Sequence, residues 1–339
     1  MSIKISRRMA LKVGGGVAVG AFGVMTRQAH AAEFNYKLGT NVPESHPVTI
    51  RVRDAAKKIK EESGGQLAFE IFPNNQLGGD TVALSQLRSG ALEFYLLSGL
   101  ILANVIPVVS IYGMPFAFGN HSDVWKALDG DFGIMLRNEL PKAGLQNVGK
   151  MWANGFRQFV SGAKVISSAE DLNGFKMRVP ISQLWISVFK ALGASPVSMN
   201  ATEMYTSLQT KVADGCELPL AVIDSYKIYE VQKYCSMSNY MVDNYFMAAN
   251  AGAWTRLPEK LKEIAERNFN AAADMERADI AKLDTTLQST LTAKGLSFNS
   301  PDIQSFKSIL KKSRFYEDWR KKYGEQAWGL LEKYSGSLG

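Results

Sequence analysis

Cysteine and histidine are nearly missing from this chain, which has 2 Cys and 3 His in 339 residues. Cys216 and Cys235 do not form a Cys-x-x-Cys pair and no His-Glu-x-x-His segment occurs, which excludes paired-cysteine zinc sites and the helical zinc-hydrolase motif. Beyond the N-terminal segment only His46 and His121 remain, each in a loop-like setting, so a Ser-His-Asp triad has little to draw on. No Gly-x-Ser-x-Gly, P-loop or Gly-x-Gly-x-x-Gly is present. These absences favour a binding protein over an enzyme, with no cofactor and no metal. The two cysteines leave two readings open. Either they form one disulfide closing a loop of about twenty residues, or they are two separate buried thiols.

Long hydrophobic runs and a real charge excess are missing as well. Apolar stretches such as 96–111 are interrupted by Gly99, Asn104 and Pro107, and none approaches the ~20 residues of a membrane span. The formal net charge is +7, but Lys4, Arg7, Arg8, Lys12 and Arg27 fall in the acid-free first 31 residues, and the remainder carries only +2. A nucleic-acid surface is therefore unsupported. Residues 1–31 read as a cleaved signal peptide, with a basic start, an apolar stretch from Val13 to Met25, and Ala29-His30-Ala31 as the small-x-small site. Arg7-Arg8 followed by Lys12 is twin-arginine-like, whereas Ala10 stands where that signal usually carries Phe, leaving the general secretory route open. The mature chain is expected in the periplasm and not itself membrane-spanning.

What is present is the alternation of an α/β protein. Residues 34–40, 67–72 and 92–97 read as strands separated by helices over 48–62 and 79–90. After a long helical stretch the pattern restarts, with strands near 148–153, 176–179, 196–199 and 214–219 and helices over 183–192 and 201–211. Strands linked by helices predict a largely parallel sheet. From Pro258 to about Lys294 there is one long helical run with no internal Gly or Pro, long enough to reach across more than one lobe. The basic, aromatic tail at 305–333 reads as a docking helix pair.

An ordered set of segments now gives a resemblance. Pro73-Asn74-Asn75-Gln76-Leu77-Gly78, Gly90-Ala91-Leu92-Glu93-Phe94, Met114-Pro115-Phe116 and Asn154-Gly155-Phe156-Arg157-Gln158 are followed by 171–180, Gly193-Ala194-Ser195-Pro196-Val197 and 203–210. Tyr229-Glu230-Val231-Gln232-Lys233-Tyr234 and Trp254-Thr255-Arg256-Leu257-Pro258 complete it. Together they resemble the solute-binding proteins of tripartite ATP-independent periplasmic (TRAP) transporters, in the branch of C4-dicarboxylate and sialic-acid binders. The resemblance implies an α/β periplasmic binding protein fold of two lobes with a long helix spanning both. The lobes would be 33–154 plus 244–283 and 155–243 plus 284–339. It also implies capture of an organic acid in the interlobe cleft and delivery to a TRAP permease.

The resemblance makes Arg178 the carboxylate clamp, a role that suits a planar, permanently charged guanidinium. Arg157 matches a second ligand arginine, and Asn41 and Asp80 match positions that reach polyhydroxy ligands. Trp185 is placed to wall the pocket. Where many members carry an asparagine after the Glu of an Asp-Gly-Gln-Glu-Asn-Pro motif, this chain has Leu218, and Ser98 stands where sialic-acid binders carry an acid. Those departures predict a small or partly apolar monocarboxylate, such as a 2-oxo, 2-hydroxy or aromatic acid. A sugar acid is the alternative ligand. A secreted enzyme with Glu203 or Tyr205 as acid or base is the rival from another class.

Overall fold

The computed structural model describes residues 32–338, so the signal-peptide reading of 1–31 lies outside the described residues. The chain is an α/β protein built on one sheet of ten strands: β1 Phe34–Thr40, β2 Leu67–Phe72, β3 Phe94–Ser98, β4 Leu145–Asn147, β5 Trp152–Ser161, β6 Lys176–Val179, β7 Ser195–Ser198, β8 Gly215–Leu218, β9 Tyr234–Asn250 and β10 Ser297–Asn299. The order is β2-β1-β3-β9-β5-β8-β6-β7, with β4 and β10 also pairing with β9. β1, β2 and β3 run parallel to one another, as do β6, β7 and β8. The sheet is nevertheless mixed rather than largely parallel, because β9 is antiparallel to β3 and β5, and β5 is antiparallel to β8.

β9 joins the two halves. Its C-terminal part, Tyr245–Ala249, pairs with β3, while Tyr234–Ser236 pairs with β10 and with the end of β5. The β5–β9 ladder slips twice, between Ala153 and Gly155 and between Arg157 and Phe159. Such bulges bend and twist a ladder locally and re-aim side chains. Gly155 absorbs the first slip with φ +112°, a backbone region in which a side chain is strained.

The helix Glu259–Ala293 has 35 residues and spans about 50 Å. Leu261, Ile264, Ala265, Phe269, Ala272 and Ala273 pack in a core with Val48, Val52, Ile59 and Phe94. Farther along, Ile280, Leu287 and Leu291 belong to another core with Leu208, Ile223, Cys216 and Cys235. One helix thus stabilises both halves by burying one stripe in each. The C-terminal tail forms three helices, Ile303–Lys312, Phe315–Tyr323 and Glu325–Ser335, rather than a pair. Its aromatic face is buried, and Tyr316 donates to the Pro115 carbonyl while Tyr323 meets Ser110.

The disulfide reading fails on sheet geometry. Val160 of β5 is paired with Cys216 on one side and Cys235 on the other. A whole strand separates the cysteines, which puts their Cα atoms roughly 9–10 Å apart, beyond the ~7 Å a disulfide tolerates. Both are free and buried, and burial pushes the Cys216 thiol up to about 12. The two histidines are structural too. His46 caps the helix Pro47–Glu62 by accepting from Val48 N, with burial lowering its pKa to about 3, and His121 Nε2 lies 2.7 Å from Asp284.

Glu276 lies midway along the long helix, wholly buried, where Oε2 accepts from the backbone N–H of Ala153 at 2.8 Å, beside the first bulge. Its Oε1 has no hydrogen-bond partner. Burial raises this carboxyl well above its ordinary value, so the folded state retains a proton that the unfolded chain releases. Its contribution is complete below the unfolded value of 4.5 and is lost as pH climbs toward the folded pKa. Glu276→Gln keeps the acceptor for Ala153 without a titrating group. The variant should show a flatter stability profile than the parent between about pH 5 and 8 and melt higher at the upper end. Identical slopes in urea melts across that range would count against this account.

Candidate functional site

The sheet order brings two groups of residues to one small cavity. Asn41, Asp80, Ser98, Asn154, Asp243 and Tyr245 come from β3, β5 and β9, from the residue after β1 and from the start of the helix Asp80–Ser89. Arg157, Arg178, Trp185, Met204, Leu218 and Val222 come from β5, β6 and β8 and from helices of the other half. Asn41 is held by the turn that follows β2. Asn75, at φ 58° in a left-handed position that asparagine tolerates, donates its amide to the Asn41 carbonyl and to Tyr226 Oη.

The two arginines are buried alike but differ in their partners. Arg157 is gripped by carboxylates. Its Nε donates to Glu217 Oε2, its Nη2 to Glu217 Oε1 at 2.9 Å and to the Glu217 carbonyl at 2.8 Å, and its Nη1 to Asp243 Oδ2 at 3.2 Å. Its guanidinium carbon sits 4.8 Å from the centre of the Trp185 ring. Burial opposes its charge, but the Glu217 and Asp243 carboxylates outweigh that and raise its pKa above the ordinary value.

Arg178, only 2% exposed, has no acidic partner within salt-bridge distance among the described residues. Nη2 donates to the Met199 carbonyl at 2.8 Å and Nη1 reaches Met204 Sδ at 3.3 Å, while Nε has no partner at all. Burial lowers its pKa, yet a guanidinium stays charged. An interior cation with a spare N–H and no counter-ion is an arrangement completed by an anion.

Asp80 also lines the cavity. It is buried, receives Asn41 Nδ2 and Tyr95 Oη at 3.3 Å each, and is raised by burial above its usual range. The lining also includes apolar Val42, Ile101, Pro180, Met204, Leu218 and Val222.

All seven residues expected from the sequence, Asn41, Asp80, Ser98, Arg157, Arg178, Trp185 and Leu218, line this one cavity. Ser98 is engaged with Asp243, donating at 2.7 Å. The candidate acid and base of the rival enzyme reading lie elsewhere. Glu203 closes a capping box with Asn200 at the start of the helix Ala201–Gln209, and Tyr205 donates to Glu230. Asn154, Asp243, Tyr226 and Tyr245 were missed. Asp243 alone had a visible signal, as an acid within an aromatic and apolar run, Tyr240-Met241-Val242-Asp243-Asn244-Tyr245-Phe246.

Comparison with known proteins gives one answer. The sequence profile of the bacterial extracellular solute-binding proteins, family 7, matches residues 38–321. The sialic acid-binding periplasmic protein SiaP of Vibrio cholerae is 28% identical over 256 residues, 76% of this chain and 79% of the relative. The C4-dicarboxylate-binding protein DctB of Bacillus subtilis is 29% identical over 256 residues, 73% of each chain. Among solved structures, the sugar acid binding protein DctPAm of Advenella mimigardefordensis in complex with galactonate superposes with a TM-score of 0.85 at 27% identity, covering 90% of this chain and 98% of the other.

The pairing of Arg157 predicts a large structural cost for losing its main partner. Glu217→Ala strands a fully buried guanidinium, and the ligand-free protein should lose about 3–5 kcal/mol of stability by denaturant unfolding. A loss below about 1 kcal/mol would mean that Asp243 alone satisfies Arg157.

Proposed function

Because this chain belongs to the bacterial extracellular solute-binding proteins of family 7, a family of transport binding proteins and not of enzymes, we propose that its cleft captures an organic monocarboxylate on Arg178 and delivers it to a TRAP membrane permease. The observation that carries the reading is the buried Arg178 guanidinium without a counter-ion. A ligand carboxylate supplies the missing charge and accepts from the unpartnered Nε. The apolar part of the lining, with Leu218 where relatives hold an asparagine, favours an acid that presents hydrogen or carbon there. Asn41 and Asp80 in the lining favour a second reading, a hydroxylated sugar acid, which is also the ligand class of the galactonate-bound relative.

The proposal includes closure of two lobes around the ligand. We place the lobes at 33–154 plus 244–283 and 155–243 plus 284–339, with the C-terminal helices reaching back onto the first. The two β5–β9 bulges provide the flexure, and a ligand touching both lobes favours the closed arrangement by its differential affinity for it. Residues 1–31 are proposed as the export signal that puts the protein in the periplasm.

Two experiments test the site. In calorimetry against a panel of organic acids that includes galactonate, Arg178→Ala should cost about 2–5 kcal/mol of binding, and Arg178→Lys should lose much of it, since a point charge lacks the paired N–H geometry. Native-like affinity in the lysine variant would exclude the clamp. Leu218→Asn should weaken the preferred ligand by about 1–3 kcal/mol by burying an amide without a partner, while narrowing the gap to hydroxylated acids of similar size. A sugar acid emerging as the tightest ligand of the unmodified protein would favour the second reading.

A further inference from the structure

Two buried carboxyls, Asp80 and Asp243, line this cavity with two guanidiniums, and a third, Glu217, is bonded to Arg157, so the cluster holds more acids than bases before any ligand arrives. Arg157 is spent on that excess. Of its five N–H groups, Nε and both Nη2 hydrogens go to Glu217 and one Nη1 hydrogen goes to Asp243, leaving one. The Trp185 ring lies against its face. A carboxylate needs two parallel donors for a bidentate grip, and Arg157 can no longer offer them.

Asp243 is the residue that completes this engagement. Its 1% exposed carboxyl receives Ser98 Oγ at 2.7 Å and Tyr112 Oη at 3.2 Å on Oδ1, and Asn154 Nδ2 at 2.9 Å and Arg157 Nη1 at 3.2 Å on Oδ2. Four donors from three separate segments fix it in place.

We propose that Asp243 is the specificity-determining residue that makes this a single-charge site: together with Glu217 it occupies Arg157 and leaves Arg178 as the one guanidinium open to an anion, and its own carboxylate lines the cavity, so organic acids with one negative charge are taken and dianions are refused. This rests on the organic-acid reading above and extends it to ligand charge. A second ligand carboxylate would enter a cavity with no further cation to receive it and with Asp80 and Asp243 in the walls. The C4-dicarboxylate class named for DctB is therefore not transferred to this chain.

The test uses matched pairs with one carbon skeleton, succinate against monomethyl succinate and glutarate against monomethyl glutarate, titrated into the full mature protein near pH 7.5. The half-esters should bind at least about tenfold tighter than the dianions. Asp243→Asn, which removes the charge while keeping the shape, should shrink that ratio by at least about tenfold. If Asp243→Asn does not fold, the unmodified protein still decides the matter. Lowering the pH through the second ionisation of the diacid should strengthen its binding about tenfold while the half-ester changes little. Dianions binding as tightly as half-esters, or a ratio unmoved by Asp243→Asn, overturns the proposal. The organic-acid reading fails separately: if Arg178→Ala leaves half-ester binding intact, the clamp is lost, whereas dianion binding that still depends on Arg178 overturns the single-charge site alone.

Discussion

The antiparallel pairing of β5 with β9 is the constraint on which the rest of this structure depends. These two long strands are shared by both halves of the sheet, and they also supply Asn154, Arg157, Asp243 and Tyr245 to the cavity. The two bulges and much of the cavity thus lie on the same stretch of backbone, and Glu276 ties the first bulge to the helix common to both cores.

The two arginines show how burial separates structure from recognition. Each guanidinium pays the same kind of desolvation penalty on leaving water, and the protein offsets it for Arg157 with two carboxylates and a tryptophan face. For Arg178 the offset is a carbonyl and a thioether, both weaker partners. In the proposed function the unmatched part of that cost is recovered when a carboxylate enters the cavity. Affinity then comes from a group left unsatisfied by the fold, which is why the lack of a partner says more about Arg178 than its burial does.

Much of this arrangement was legible in the sequence where local pattern and environment agree. β1 and β2 alternate or end in clear turn residues and were placed to the residue, and the long helix was placed to within one residue at each end. The set Asn41, Asp80, Arg157, Arg178, Trp185 and Leu218 was read through resemblance, and the topology gathers it into one cavity. β9 was missed for a physical reason. It is covered along nearly its whole length, so the period-two signal of a half-exposed strand is absent, and Ser236, Ser238, Asp243 and Asn244 interrupt it with buried polar groups. The cysteine pairing was undecidable from spacing, because nothing in the sequence indicates that β5 runs between the two residues.

The same reasoning explains why the unreadable residues are the discriminating ones. Arg178 sits at a strand end within a recognisable segment, and its role follows from its own chemistry. Asp243 has no such signal, because its role exists only once the chain has folded Ser98, Tyr112, Asn154 and Arg157 around it from segments far apart in sequence. In the proposed function the capacity to bind an acid is carried by one side chain, whereas the number of charges accepted is a property of the assembled cluster. Relatives that keep the arginine and alter its buried neighbours would retain acid binding while changing which acids fit.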